Sequence, residues 1–329
     1  MQGVFRVVMT VLVLLVLALV LLFFLAPREQ VDLRASFDPA KFGEGVQVYF
    51  ESVESAFDDI VPGVEKRVIW QDGFKEQRSP VSILYVHGFS ATSEEIRPVP
   101  DKLAEALGAN LVYTRLTGHG RPGDAMGEAT VNDWMQDMAE GLAAARAVGE
   151  KVIVLSTSTG GTLSAAAAMD PALSQDVAAM IFVSPNFGVN DKNAHMLTYP
   201  GAEWLLPLAI GKTRGFEPTT EAEGIYWTER YPTVAVLPMA ALVKAVVEMP
   251  LEQATTPALF WFSPLDQVVR SDITQQVADR WGGPTEVQLV DVTDGMDASA
   301  HVIAGDILSP AGTGPAVAGM LSWLRGQGF

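Results

Sequence analysis

The stretch Lys151-Val-Ile-Val-Leu-Ser-Thr-Ser158-Thr-Gly160-Gly161, followed by Thr162-Leu-Ser-Ala-Ala-Ala-Ala-Met169, decides the fold. A β-branched apolar run gives way to small hydroxyl and glycine residues, and an alanine-rich helical pattern follows without a gap. This predicts a strand, a sharp turn and a helix, with Ser158 at the apex of the turn. A side chain there projects from the carboxyl edge of a sheet, beside the free N–H groups of a helix start. Turns of this form hold a nucleophilic serine in the pattern G-x-S-x-G. Here Ser156 takes the first glycine position and Gly160 the second. Strand and helix backbones approach closely at such a turn, so the flanking residues must be small, and serine nearly is. An ordinary strand-to-helix connection without chemistry fits the same pattern.

Outward from this stretch the chain alternates strands with helices. Val81–Val86 reads as a buried strand ending in His87-Gly88-Phe89, and Leu111–Leu116 as another ending in Gly118-His119-Gly120. Helical patterns cover Pro98–Leu107 and Val131–Val148, and Val177–Val183 is a further strand. Such alternation implies a mostly parallel sheet flanked by helices, whose ligand site lies at the carboxyl ends of the strands. His87, Gly88, His119 and Ser158 all fall at such ends. From about 186 to 249 no strand is evident, only apolar helical pieces such as Trp204–Ile210 and Leu237–Val247. The alternation resumes with a strand at Pro257–Phe262, a helix at Asp272–Trp281, a strand at Glu286–Val290 and a closing helix at Pro315–Leu324. The interruption predicts a helical cap inserted over the site edge, since long inserts of this kind carry function. Its apolar pieces suit core helices equally well.

Composition excludes several classes. Nearly half of the 329 residues are apolar, so a large core is available, and a net charge of −17 leaves no basic excess for nucleic acid. There is no cysteine, which removes disulfides and thiolate chemistry. Nothing has metal-ligand spacing, and no metal or cofactor is expected. Gly211-Lys212-Thr213 resembles the end of a phosphate loop, but Leu206 stands where its leading glycine should be.

Residues 1–27 form a separate segment. From Val7 to Ala26 the chain is apolar except for Thr10, long enough to cross a hydrocarbon core. A cleaved signal peptide is the competing reading, but its apolar region is shorter and Ala26-Pro27-Arg28 offers no clear cleavage site. An uncleaved anchor is expected, then a linker over 28–45 and the α/β domain over 46–329. Lysine and arginine counts on the two sides do not set the orientation. A short basic N-tail retained inside would export the remainder.

A serine at the apex needs a base, and the base needs an orienting acid. Of the four histidines, His301 follows the last strand and matches the chain order serine, acid, histidine. Asp266, just past the Pro257–Phe262 strand, is the candidate acid, with Asp291, Asp294 and Asp297 in reserve.

The ordered set Tyr85-Val-His87-Gly88-Phe89, Leu116-Thr-Gly118-His119-Gly120, Asn132-Asp-Trp134, Ser156-Thr-Ser158-Thr-Gly160-Gly161, Pro264-Leu-Asp266-Gln-Val-Val and Ala300-His301 resembles the α/β-hydrolase-fold serine hydrolases. The likeness is to the monoglyceride lipase and carboxylesterase group, near the serine aminopeptidase-like hydrolases, and covers most of the chain from about residue 80 to 302. It implies Ser158 as nucleophile, His301 as general base and Asp266 as orienting acid. It also implies an oxyanion hole from the backbone N–H groups of Phe89 and Thr159, with His87 and His119 structuring loops. Ser156 for glycine, and Thr117 where relatives often carry proline, are departures that remove no chemical group. The expected activity is hydrolysis of apolar carboxylic esters through an acyl-serine intermediate, on a lipid-like substrate. An amide or peptide hydrolase, a lysophospholipase and a non-catalytic binding module are the alternatives.

Overall fold

The computed structural model describes residues 2–329. In chain order its elements are α1 (Gln2–Leu25), α2 (Val46–Glu54), β1 (Arg67–Ile69), β2 (Ser79–Val86), α3 (Val99–Leu107), β3 (Asn110–Tyr113), α4 (Val131–Val148), β4 (Gly149–Thr157), α5 (Thr159–Ala168), α6 (Pro171–Ser174) and β5 (Val177–Val183). Then come α7 (Ala202–Ile210), β6 (Thr213–Gly215), α8 (Glu221–Tyr226), β7 (Arg230–Pro232), α9 (Val236–Val247), β8 (Ala258–Phe262), α10 (Ser271–Arg280), β9 (Thr285–Leu289) and α11 (Pro310–Gly326).

Seven strands form one sheet in the order β1-β3-β2-β4-β5-β8-β9. Only β1 runs antiparallel to its neighbour. Side chains alternate along each strand, so the sheet has two covered faces. Leu84, Val86, Val154 and Phe260 join Trp134 and Leu142 of α4 and Leu163 of α5 on one face. Ile83, Tyr85, Ile153 and Leu155 meet Leu103 of α3 and Met320 and Leu324 of α11 on the other. Because every central strand is covered on both sides, its sequence reads as an unbroken apolar run.

The strand and helix alternation expected from the sequence is present, with four differences. β1 and α2 were not anticipated, being short elements whose partners lie far along the chain. Residues 28–45, expected as a linker, are fastened down in their second half. Leu33, Ala35 and Phe37 pack on the core, Phe42 is buried, and the Asn132 side chain donates to the Arg34 carbonyl at 2.8 Å. The segment expected to lack strands contains the antiparallel pair β6–β7. Each of its strands has three residues, too few for a period to show. Finally, the two apolar helices of that segment differ in kind. α9 is buried and packs on α5, while α7 buries no residue. Only the part of that segment before α9 thus stands outside the core.

Candidate active site

The turn between β4 and α5 sets Ser158 at φ 50° and ψ −118°, a conformation that strains any residue with a Cβ. Packing enforces it. A Cβ on Gly160 would lie 2.2 Å from the Val86 carbonyl oxygen, and one on Gly161 2.7 Å from Pro185 Cβ. Only glycine permits that approach. Ser156, by contrast, lies within the β4 ladder between β2 and β5. Its side chain is buried and its Oγ donates to the Ile181 carbonyl at 3.3 Å. The first glycine of the usual pattern is thus replaceable here, because the close approach falls after the serine.

Ser158 Oγ lies 3.1 Å from His301 Nε2, and His301 Nδ1 lies 2.8 Å from Asp266 Oδ2. An ionised Asp266 can only accept, so Nδ1 carries the imidazole proton and Nε2 is left to accept from the serine hydroxyl. Asp266 follows β8, and its Oδ1 accepts the Val268 and Val269 N–H groups at 2.8 and 2.9 Å. Both carboxylate oxygens are therefore fixed. Burial pulls the His301 pKa down, but attraction to Asp266 reverses this, and the net shift is upward.

Of the three reserve acids, Asp291 and Asp294 are exposed. Asp297 accepts the Ser299 N–H and Oγ–H, the His301 N–H and the Val302 N–H. Its carboxylate folds the loop that presents His301. Burial raises its pKa, and these hydrogen bonds outweigh burial and lower it.

The Phe89 and Thr159 N–H groups take no hydrogen bond among the described residues. One follows the His87-Gly88 turn and the other opens α5. His87 and His119 lie behind them. His87 Nδ1 donates to the Gly88 carbonyl at 2.9 Å, and its Nε2 accepts the Leu116 N–H at 3.1 Å. The His119 ring packs edge-on against Phe89 and Trp134. Burial holds the His87 pKa well below its ordinary value and pushes that of His119 down to about 4. Neutral rings locked this way shape the loops. His195, in the cap, is exposed and apart from the site.

Sequence reasoning missed Glu95. Its side chain is buried, and its Oε2 accepts the Gly88 N–H at 2.8 Å and the Tyr85 hydroxyl at 3.0 Å. Burial pushes its pKa up to about 7, although those hydrogen bonds and His301 act the other way. Nothing local in Ser93-Glu-Glu-Ile96 distinguishes it from its exposed-looking neighbour. A cavity of about 460 Å³ opens over Ser158 and His301, lined by Leu197, Phe216, Val236, Met239 and Leu308 and by the ionisable Glu95, Arg214, Glu223 and Asp297. Among the described residues no group of side chains could hold a metal ion.

A mostly parallel sheet with a serine, a histidine and an acid hydrogen-bonded in sequence at its carboxyl edge defines the α/β-hydrolase class. The model of the serine aminopeptidase S33 family of hydrolases matches residues 78–295, and the chain belongs to that family. It is similar to a thermostable monoacylglycerol lipase of Bacillus sp. (strain H-257), 28% identical over 196 residues that cover 60% of this chain and 74% of that one. Among solved structures it resembles a metagenome-derived lipolytic enzyme from work on LipS and LipT, at a TM-score of 0.61 and 19% identity over 81% of this chain and 99% of that one. It also resembles a soluble variant of the monoglyceride lipase of Saccharomyces cerevisiae, with TM-score 0.58, 12% identity and 82% and 97% coverage. These structural likenesses speak to the fold.

Proposed function

We propose that the protein hydrolyses carboxylic esters of apolar acyl groups through an acyl-serine intermediate. The observation that carries this is the hydrogen-bonded series Ser158–His301–Asp266, whose serine and histidine open on a cavity with Leu, Val and Met in its walls. In this reading Ser158 Oγ attacks the ester carbonyl as His301 Nε2 takes its proton. The alkoxide departs with that proton, and water repeats the sequence on the acyl-serine. The Phe89 and Thr159 N–H groups stabilise the oxyanion, a role that favours donors held in place before charge develops. The similarity to a monoacylglycerol lipase supports an ester rather than an amide, and the Leu, Val and Met walls support a fatty acyl group.

α1, which is 24 residues long and apolar after Arg6 apart from Thr10, serves as an uncleaved membrane anchor in this proposal, with the hydrolase domain on the exported side. The test is labelling with a fluorophosphonate, followed by turnover of p-nitrophenyl esters of graded acyl length beside aminoacyl anilides. Labelling that survives Ser158→Ala overturns the nucleophile. Preference for anilides replaces the esterase with an amide hydrolase.

A further inference from the structure

Glu95 is a buried carboxyl group that the mechanism above leaves without a role. It is 2% exposed and lines the cavity together with Ser158 and His301. Its two oxygens are placed differently. Oε2 accepts the Gly88 N–H at 2.8 Å and the Tyr85 hydroxyl at 3.0 Å. Oε1 takes no hydrogen bond among the described residues, and it stands across Gly88 from the nucleophile. A Cβ built on Gly88 would lie 2.6 Å from Oε1 and 3.0 Å from Ser158 Cβ. The φ of Gly88 is not in the left-handed region, so glycine serves there to leave that space open rather than to permit the backbone.

The surroundings favour the neutral acid. Burial pushes the Glu95 pKa up to about 7, although the Gly88 N–H, His301 and Tyr85 act the other way. Tyr85, on β2, stays a neutral donor, because burial and Glu95 push its pKa well above the ordinary value. The neighbouring Glu94 takes the nearby cations, Arg97 at 2.7 Å and Arg67 at 3.4 Å. Arg214, Glu223 and Asp297 also line the cavity, and Glu95 forms no ion pair among the described residues. Because Oε2 already accepts two donors, the proton of the neutral acid is carried by Oε1, which turns that oxygen into a donor.

We propose that Glu95 works as a neutral carboxylic acid whose Oε1–H is a third donor to the oxyanion, beside the Phe89 and Thr159 N–H groups. This rests on the reading of Ser158 as the nucleophile of an ester hydrolase. As the bond from Ser158 Oγ to the carbonyl carbon forms, the π electron pair moves onto the carbonyl oxygen and the serine proton passes to His301 Nε2. The hydrogen bond from Oε1 strengthens as that charge develops, and Glu95 keeps its proton throughout. An ionised Glu95 acts in reverse, withdrawing the donor and setting a second negative charge beside the oxyanion. Turnover therefore needs His301 deprotonated and Glu95 protonated.

The test is turnover of a short, water-soluble glycerol ester by the full chain in detergent, followed by acid release from about pH 5.5 to 9. Wild-type kcat is expected to rise as His301 loses its proton and to fall as Glu95 loses its own, with apparent values that belong to the pair. Glu95→Gln puts an amide N–H where Oε1 stands, while its oxygen accepts from Gly88 and Tyr85. It should lower kcat by about tenfold with KM nearly unmoved, as for a donor that acts in the transition state. Its profile should lose the descending limb. The rising limb should move to lower pH, because a charged Glu95 raises the His301 pKa. Glu95→Leu, which has neither donor nor acceptor, should lower kcat by about 100-fold or more. If that variant does not fold, the Glu95→Gln profile decides alone. A wild-type rate that stays level from about pH 7 to 9 overturns the proposal, as does a descending limb that persists in Glu95→Gln. Wild type that neither turns over the ester nor reacts with a fluorophosphonate overturns the esterase reading, and this inference with it.

Discussion

Glu95 Oε2 accepts the Gly88 N–H at 2.8 Å, on the peptide immediately before the one that carries the Phe89 N–H. The same oxygen takes the Tyr85 hydroxyl, which in turn contacts Thr157 Oγ1 at 3.1 Å. One buried carboxyl group thus ties the loop after β2 to the residue before Ser158. A Cβ on Gly88 would touch both, at 2.6 Å from Glu95 Oε1 and 3.0 Å from Ser158 Cβ.

This arrangement makes stability depend on pH. The pKa of Glu95 is pushed up to about 7 from 4.5, so between these values the native state binds a proton that the unfolded chain has released. Stability contributed at low pH is then lost as pH rises through this window, by roughly 3 kcal/mol. Glu95→Gln keeps an acceptor for Gly88 and Tyr85 and removes the titration. Urea unfolding of this variant should show a flatter profile from pH 4.5 to 7 than wild type, and an unchanged slope would remove Glu95 from the explanation.

The strain at Ser158 separates chemistry from folding. Ser158→Ala and Ser158→Gly should both lose turnover, by on the order of 10⁶-fold. Glycine alone relieves the φ of 50°, so Ser158→Gly should exceed Ser158→Ala in stability by about 1 kcal/mol. Equal melting temperatures for the pair would mean that the turn stores no strain.

Asp266 and Asp297 should fail differently. Asp266→Asn presents an amide to His301 Nδ1 and frees the wrong tautomer, lowering kcat by about three to four orders of magnitude. Because Asp266 raises the His301 pKa, the acid limb of any residual activity should move to lower pH. Asp297→Asn unsettles the loop, lowering stability by about 1–3 kcal/mol with a smaller loss of rate. If the two variants exchange these phenotypes, the acid is Asp297.

Ser156→Gly restores the usual glycine pattern. It removes the Oγ donation to Ile181 and places glycine within a central strand, so stability should fall by about 1 kcal/mol with turnover intact. Gly160→Ala should be far worse, since its Cβ meets the Val86 carbonyl at 2.2 Å. Soluble, active Gly160→Ala protein would contradict the packing described at the elbow.

The sequence by itself determined the strand–turn–helix at Ser158, the alternating layers and the positions of Asp266 and His301 along the chain. These are legible because buried parallel strands are continuous apolar runs, and because chain order constrains which loops share the sheet edge. It also marked α1 by length and hydropathy. Only the tertiary structure sets Asp266 rather than Asp297 against His301 Nδ1, since both lie in loops near His301 and chain order does not say which oxygen faces the ring. It likewise separated α9 from α7, two apolar helices that periodicity cannot distinguish, by burying one and leaving the other with no buried residue. Glu95 belongs here too: a glutamate in a polar run reads as solvated until a distant glycine N–H and a tyrosine hydroxyl close over it. At the elbow, the missing glycine that the sequence left open lies within a strand ladder with room for a serine. The tightest approach is at Gly160 after the serine, because there the helix backbone crosses the Val86 carbonyl.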